Sequence, residues 1–316
     1  MSKLAIVFPG QGSQYIGMGK ALIDNFKVAA EVYEEANDSL GFDLKKIIFD
    51  GSMAELTRSE NAQPAVVTAS NALFRVYMQE FGVLPDYTAG HSLGELSALI
   101  AAGGIKFNEG VYFARKRGIL MQQAYSEKRG RVALIVGVNE AQVKEELERI
   151  NKNYGFVAIT GYNSPSQILV AGKEIPLKEL GRSIESINGE FIPFSMLPMK
   201  VDAPYHSSLM SFLAEDLSLE LKKISYSPLK FPVLSNVSAL PYESHEDIER
   251  DLSLQLVNPV KWRQIISYIE EQGTQIVIDI GPHYALKTIV TECSEVLKTY
   301  AFEIKTDFAE IKKYFM

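Results

Sequence analysis

The stretch that most narrows what this 316-residue chain can fold into is Gly90-His91-Ser92-Leu93-Gly94. Gly-x-Ser-x-Gly sets a serine on a sharp strand-to-helix turn with its hydroxyl standing above the sheet. The flanks agree with that geometry. Pro85-Asp86 reads as a turn and Tyr87-Thr88-Ala89 as a short extended piece, while Leu93, Leu96, Leu99 and Ile100 recur at helical spacing until Gly103-Gly104 stops them. So tight a turn has no room for side chains at Gly90 and Gly94. Ser92 then lies at a helix N-terminus, where free backbone N–H groups can steady an oxyanion.

Around this turn the pattern is α/β. Leu4 to Phe8 is an apolar run of strand length, suited to a strand buried on both faces of a parallel sheet. It leads into Pro9-Gly10-Gln11-Gly12-Ser13-Gln14, which lacks the Lys-Ser/Thr of a phosphate loop and sits at the same carboxyl edge as Ser92. Between Ala62 and Phe81, Val66, Ala69, Leu73 and Tyr77 make a helical stripe. A second helix is expected from an Asn108 cap to Tyr125. On it Arg115 and Lys116 point away from the apolar stripe as a solvated face, whereas Arg117 borders the stripe and must snorkel, pair with a carboxylate or bind something.

From Arg131 the texture changes. Val132–Val138, Phe156–Gly161, Gln167–Gly172 and Phe191–Leu197 read as strands, with an Asn163-Ser164-Pro165 turn, and Glu140–Ile150 and Glu174–Ile187 read as helices. Strand, helix, strand, strand, helix, strand is a ferredoxin-like unit. It is expected as an insertion at 129–198 into a larger domain made of 1–128 and 199–316. A helix carrying Leu209, Leu213, Leu217 and Leu221, strands at Phe231–Leu234 and Gln275–Ile280, and a last strand and helix from Lys298 complete the chain.

Composition excludes several classes. Hydrophobic residues make up 47% and mean hydropathy is near zero, with no apolar run long enough for a membrane span. A soluble, cytoplasmic protein is expected, since Met1-Ser2-Lys3 leads into a strand without a cleavage pattern and the single Cys293 excludes an internal disulfide; a monomer is the expected state. The net charge of −7 argues against nucleic-acid binding, and four scattered histidines give no metal site.

A serine hydroxyl needs a base close in space. His91 is awkwardly placed beside Ser92, and His245 lies in a polar surface run. His283 follows a strand-end turn and stays open. His206, in a Pro-bounded loop before a helix, matches the order serine then histidine of α/β-hydrolase scaffolds and ranks first.

Phe8-Pro9-Gly10-Gln11-Gly12-Ser13-Gln14, Gln63-Pro64-Ala65, Gly90-His91-Ser92-Leu93-Gly94-Glu95, Arg117-Gly118-x-x-Met121-Gln122, Asn163-Ser164-Pro165, Pro204-x-His206 and Gln255-Leu256-Val257-Asn258-Pro259-Val260-x-Trp262 occur in this order. Together they resemble the malonyl-CoA:acyl carrier protein transacylase family, including polyketide synthase acyltransferases, over essentially the whole chain. The resemblance implies an α/β-hydrolase-like large domain with an inserted ferredoxin-like small one. It implies Ser92 as nucleophile, His206 as base supported by the Gln255 backbone carbonyl, and the N–H groups of Gln11 and Leu93 as oxyanion hole. It also implies Arg117 as the clamp on the free carboxylate of malonate, with Gln255 and Asn163 beside the substrate. No cofactor is expected; malonyl-CoA is the substrate and the carrier protein brings its own phosphopantetheine. Arg117 left unpaired by an acetyl group is expected to cost about 3–5 kcal/mol, and Leu93 favours malonyl over methylmalonyl. Tyr205 and Arg131-Val132 depart from the family's usual residues. Lys116, Lys128, Arg129 and Arg131 are a candidate patch for an acidic carrier. Competing readings are an editing acyl hydrolase of the same fold, which tends to lack the clamp arginine, and a non-catalytic carrier-docking subunit. A lipase fits poorly with a charge beside the acyl pocket.

Overall fold

The computed structural model describes residues 3–196 and 202–315. The strands among them are β1 (Lys3–Phe8), β2 (Tyr87–Gly90), β3 (Arg131–Val136), β4 (Val157–Ser164), β5 (Gln167–Gly172), β6 (Glu190–Pro193), β7 (Val233–Leu234), β8 (Thr274–Asp279) and β9 (Lys298–Ala301). They form two sheets. The larger is parallel throughout, in the order β7-β2-β1-β8-β9. β1 is central because every residue from Leu4 to Phe8 is apolar and buried. Leu4, Ile6 and Phe8 pack in one core with Ala65, Ala69 and Leu73 of the helix Ser59–Phe81, and Ala5 and Val7 pack in another with Trp262, Ile265 and Ile269. Alternation along one strand thus builds both faces of the sheet.

The register Phe8↔Gly90 and Val7↔Asp279 brings the ends of β1, β2 and β8 to one edge. There the helix Gly94–Ala101 leaves the sheet so closely that a Cβ on Gly94 would stand 2.0 Å from the Phe8 carbonyl oxygen. This is the steric reason for glycine at that position.

The smaller sheet is antiparallel in the order β4-β5-β3-β6, the arrangement of a ferredoxin-like unit. Its helices Glu140–Asn153 and Glu174–Ser186 cover one face, where Ala133 and Ile135 join Val143, Leu147, Leu180 and Ile184. Asn139 starts the first of these helices with a capping box to Gln142. The alternate residues Val132 and Leu134 face the other way, toward the larger sheet. β4 is tied to the segment before the helix Trp262–Glu271 by main-chain bonds, Tyr162 N–H to Val260 O at 2.9 Å and Val260 N–H to Thr160 O at 3.0 Å, and the Arg263–Glu140 ion pair at 2.6 Å links the helices beside them.

Several expectations shift. Asn108 is not a cap: the helix runs Phe107–Ser126 from Lys106, because Phe107 is already buried in the core. The Leu209 helix opens as a 3-10 turn, Ser208–Leu213, and becomes α-helical only at Ala214–Leu221. β7 is two residues long, since Pro232 has no N–H for the ladder. β4 runs through Asn163 and Ser164, so the turn there is shorter than expected. β6 ends at Pro193, and Phe194–Met196 is a 3-10 turn. Leu197 and the expected boundary between 198 and 199 lie outside the described residues. Among the described residues no helix is long and apolar enough to cross a membrane.

Candidate active site

Ser92 sits between β2 and its following helix with φ 53°, a left-handed backbone that a residue with a side chain adopts only when its surroundings enforce it. Asn236 supplies the enforcement. Its Oδ1 accepts from the Ser92 N–H at 2.7 Å and its Nδ2 donates to the Gly90 carbonyl at 2.7 Å, so one fully buried side chain braces both ends of the turn.

Ser92 Oγ lies 2.7 Å from His206 Nε2, and His206 Nδ1 donates to the Gln255 carbonyl at 2.7 Å. A carbonyl can only accept, so the proton is on Nδ1 and the lone pair of Nε2 faces the serine hydroxyl. Burial and the nearby Arg117 charge push the pKa of His206 down to about 3, which keeps the ring neutral. Among the described residues no side-chain carboxylate takes part in this pair.

Arg117 is 6% exposed. Its Nη1 donates to Gln63 Oε1 at 2.9 Å, and its Nη2 donates to Gln255 Oε1 at 3.1 Å and to Ser92 Oγ at 3.3 Å. Burial lowers its pKa to about 10, so it stays a cation held by neutral amides. Such a guanidinium retains the capacity to take a carboxylate. The amide chain continues: Gln63 Nε2 donates to Gln11 Oε1 at 3.1 Å, and Gln11 Nε2 donates to Ser59 Oγ at 2.9 Å. It ties the arginine to the loop that follows β1. That loop rests on the serine turn, for a Cβ on Gly10 would meet the His91 carbonyl oxygen at 2.5 Å and the Leu93 nitrogen at 3.7 Å. Among the described residues the N–H groups of Gln11 and Leu93 have no protein acceptor.

Ser92, His206, Arg117, Gln11, Gln63 and Asn163 open on one cavity of about 390 Å³, whose remaining walls are mainly apolar: Met121, Val132, Leu134, Leu169, Leu286 and Ile289. Asn163 reaches it from β4 and accepts from His91 Nε2 at 2.9 Å. His91 packs edge-on against Trp262 and desolvation lowers its pKa, so it serves Asn163 and not Ser92. Of the other histidines, His283 packs at a tilt against the Tyr15 ring and His245 is exposed beside Glu246; neither lines the cavity.

Sequence reasoning gave Arg115 to solvent. It is half-buried instead, donating to the Glu60 carbonyl and to Asn61 Oδ1 and lying over the Phe42 ring. The candidate basic patch is partly spent on internal pairs, Arg129 with Glu127 and Arg131 with Asp202. Three buried residues went unassigned: Gln63, Asn236 and Glu95. Glu95 carried a readable signal, a charge on a short helix whose other residues are apolar or small.

An acyl transferase domain model matches residues 5–305. The chain is similar to the malonyl CoA-acyl carrier protein transacylase of Bacillus subtilis strain 168, with 38% identity over 95% of this chain and 93% of that one. Its similarity to the enzyme of that name from Escherichia coli K12 is 35% over 95% and 96% of the two chains. A structure of a type II polyketide synthase acyl-carrier protein in complex with its malonyl-transacylase superposes with a TM-score of 0.93 at 32% identity, covering 99% of this chain and 100% of that one. The transacylase of Coxiella burnetii superposes with a TM-score of 0.93 at 30% identity over 99% and 98%.

Proposed function

Since the chain belongs to the malonyl-CoA:acyl carrier protein transacylase family, we propose that Ser92, His206 and Arg117 carry its reaction. The protein is a malonyl-CoA:acyl carrier protein S-malonyltransferase of fatty acid or polyketide biosynthesis. An acyl carrier protein is its partner. Residues 129–198 act as the inserted small domain and 1–128 with 199–316 as the large one, a division supported by the change from parallel to antiparallel pairing at β3.

His206 Nε2 takes the proton of Ser92 Oγ as the oxygen attacks the malonyl thioester carbonyl. The tetrahedral oxyanion is received by the N–H groups of Gln11 and Leu93. When the carbon–sulfur bond breaks, the imidazolium returns its proton to the departing CoA sulfur, leaving malonate esterified to Ser92. The pantetheine thiol of the carrier protein then runs the same steps in reverse. Asn163 lies beside the acyl chain from the small-sheet side.

Arg117 selects the acyl group. Its resting partners are glutamine oxygens, so acetyl does not strand a bare cation as first expected. The discrimination is the gain of a carboxylate over neutral amides, about 1.5–3 kcal/mol for a charged hydrogen bond or roughly ten- to hundredfold. The observation that carries the reading is Ser92 Oγ within 2.7 Å of a neutral imidazole and 3.3 Å of a buried guanidinium. An editing hydrolase has no use for that cation. Incubation with a mixture of acyl-CoAs, followed by intact-protein mass measurement, should give a malonyl adduct that Ser92→Ala abolishes. An adduct dominated by acetyl or longer acyl groups would count against the clamp.

A further inference from the structure

Glu95 stands three residues after Ser92, in the first turn of the helix that follows it, and is fully buried. A buried carboxylate must be met by donors. Its Oε1 accepts from the Asn236 N–H at 3.0 Å and from the Tyr242 hydroxyl at 2.5 Å, and its Oε2 accepts from Gln255 Nε2. The same Nε2 donates to the Ser92 carbonyl at 3.0 Å. A carboxylate and a carbonyl are both pure acceptors, so the Gln255 amide can lie only one way round: nitrogen toward the nucleophile helix, oxygen toward Arg117. Oxygen and nitrogen of an amide are alike in size, and packing alone would not choose between them.

We propose that Glu95 is a positioning residue for acyl selection, its carboxylate orienting the Gln255 amide so that the amide oxygen holds the Arg117 guanidinium in the acyl cavity. The inference rests on the reading of Arg117 as the carboxylate clamp. In Glu95→Gln the immovable Asn236 N–H keeps the oxygen of the new amide, so its NH2 points at Gln255 Nε2. Donor then faces donor. Turning the Gln255 amide over relieves this conflict at the expense of its bond to the Ser92 carbonyl, and it presents the NH2 to the guanidinium and drives Arg117 off its seat. His206 is spared, because its acceptor is the main-chain carbonyl of Gln255.

The test is steady-state transfer at pH 8, where Glu95 is ionised, with malonyl-CoA and acetyl-CoA for the wild type, Glu95→Gln, Gln255→Ala, the double variant and Arg117→Ala. Glu95→Gln should raise KM for malonyl-CoA about tenfold or more with a much smaller change in kcat, and lower the malonyl-to-acetyl ratio by a similar factor. Gln255→Ala should lower the ratio equally, and the double variant no further. A wild-type ratio in Glu95→Gln, or ratios that multiply in the double variant, overturns the relay. Should Glu95→Gln not fold, Gln255→Ala decides alone, an unchanged ratio being the adverse result. An unchanged ratio in Arg117→Ala refutes the clamp itself, whereas a ratio lost there and kept in Glu95→Gln refutes only the role of Glu95.

Discussion

A serine hydroxyl, an imidazole and a guanidinium are ordinary groups until their surroundings remove other choices from them. His206 is held in one tautomer by a carbonyl and kept neutral by burial and the Arg117 charge. With its pKa pushed down to about 3, it should give no acid limb near the ordinary histidine value of about 6.5. Single-turnover acylation of Ser92 at saturating malonyl-CoA should therefore stay flat in this group from pH 5 to 8. A half-maximal rate near pH 6.5 would show that the ring is far less desolvated than its contacts imply. His206→Ala should slow acylation by orders of magnitude at every pH. Arg117→Ala should cut malonyl loading roughly ten- to hundredfold and acetyl loading much less, read by the mass of the loaded enzyme. These three residues could be picked out because Ser92 lies in a Gly-x-Ser-x-Gly turn, His206 follows it in the order of α/β-hydrolase scaffolds, and Arg117 borders an apolar helical stripe, its role being implied by the family resemblance. Gln63 and Asn236 could not, since a buried amide is indistinguishable in sequence from an exposed one until its partners, 54 and 144 positions away, come into view.

The serine turn is set by what the strand and helix on either side of it cannot contain. Gly94 lies against the carbonyl of Phe8, so Gly94→Ala must push the helix off β1. The expected cost is roughly 1–3 kcal/mol or more, as for overpacking a close contact. Thermal unfolding should register a lowered Tm, and labelling of Ser92 by malonyl-CoA should fall further than stability alone accounts for, because the Leu93 N–H proposed to receive the oxyanion moves with the helix. Full labelling in a folded Gly94→Ala protein would contradict the close approach. Elements of this kind were legible: glycine spacing and strand-length apolar runs are local, and β1, β2, β5 and β8 stand where periodicity put them. Helix starts were less so. Phe107 precedes Asn108 into the helix because tertiary burial of its ring outweighs the capping preference of the asparagine.

At the scale of the molecule, two sheets with separate cores enclose one cavity. Burial pushes the carboxyl of Glu95, on the helix after Ser92, up to about 7, and that of Asp279, at the end of β8, also to about 7. A folded form that binds protons more tightly than the unfolded chain is favoured most below the ordinary carboxylate range and loses that advantage as pH rises toward 7. Asp279→Asn can still accept from the N–H groups of Leu286 and Lys287 that the carboxylate now caps. Its Tm relative to the wild type should therefore improve from pH 5 to about pH 7 and level off above it, and a constant gap from pH 5 to pH 7 would refute the raised pKa. The enclosing arrangement was foreseeable from the sequence only as a change of texture at Arg131; which face of β3 met the larger sheet depended on pairings no single strand encodes. That alternation along β3 has an outcome for how such proteins diversify. The half-buried side chain at 134 can be enlarged, trimmed or made polar without touching the hydrophobic interior that Ala133 and Ile135 keep sealed, so the size of group the chamber admits is free to drift while the scaffold around it stands still.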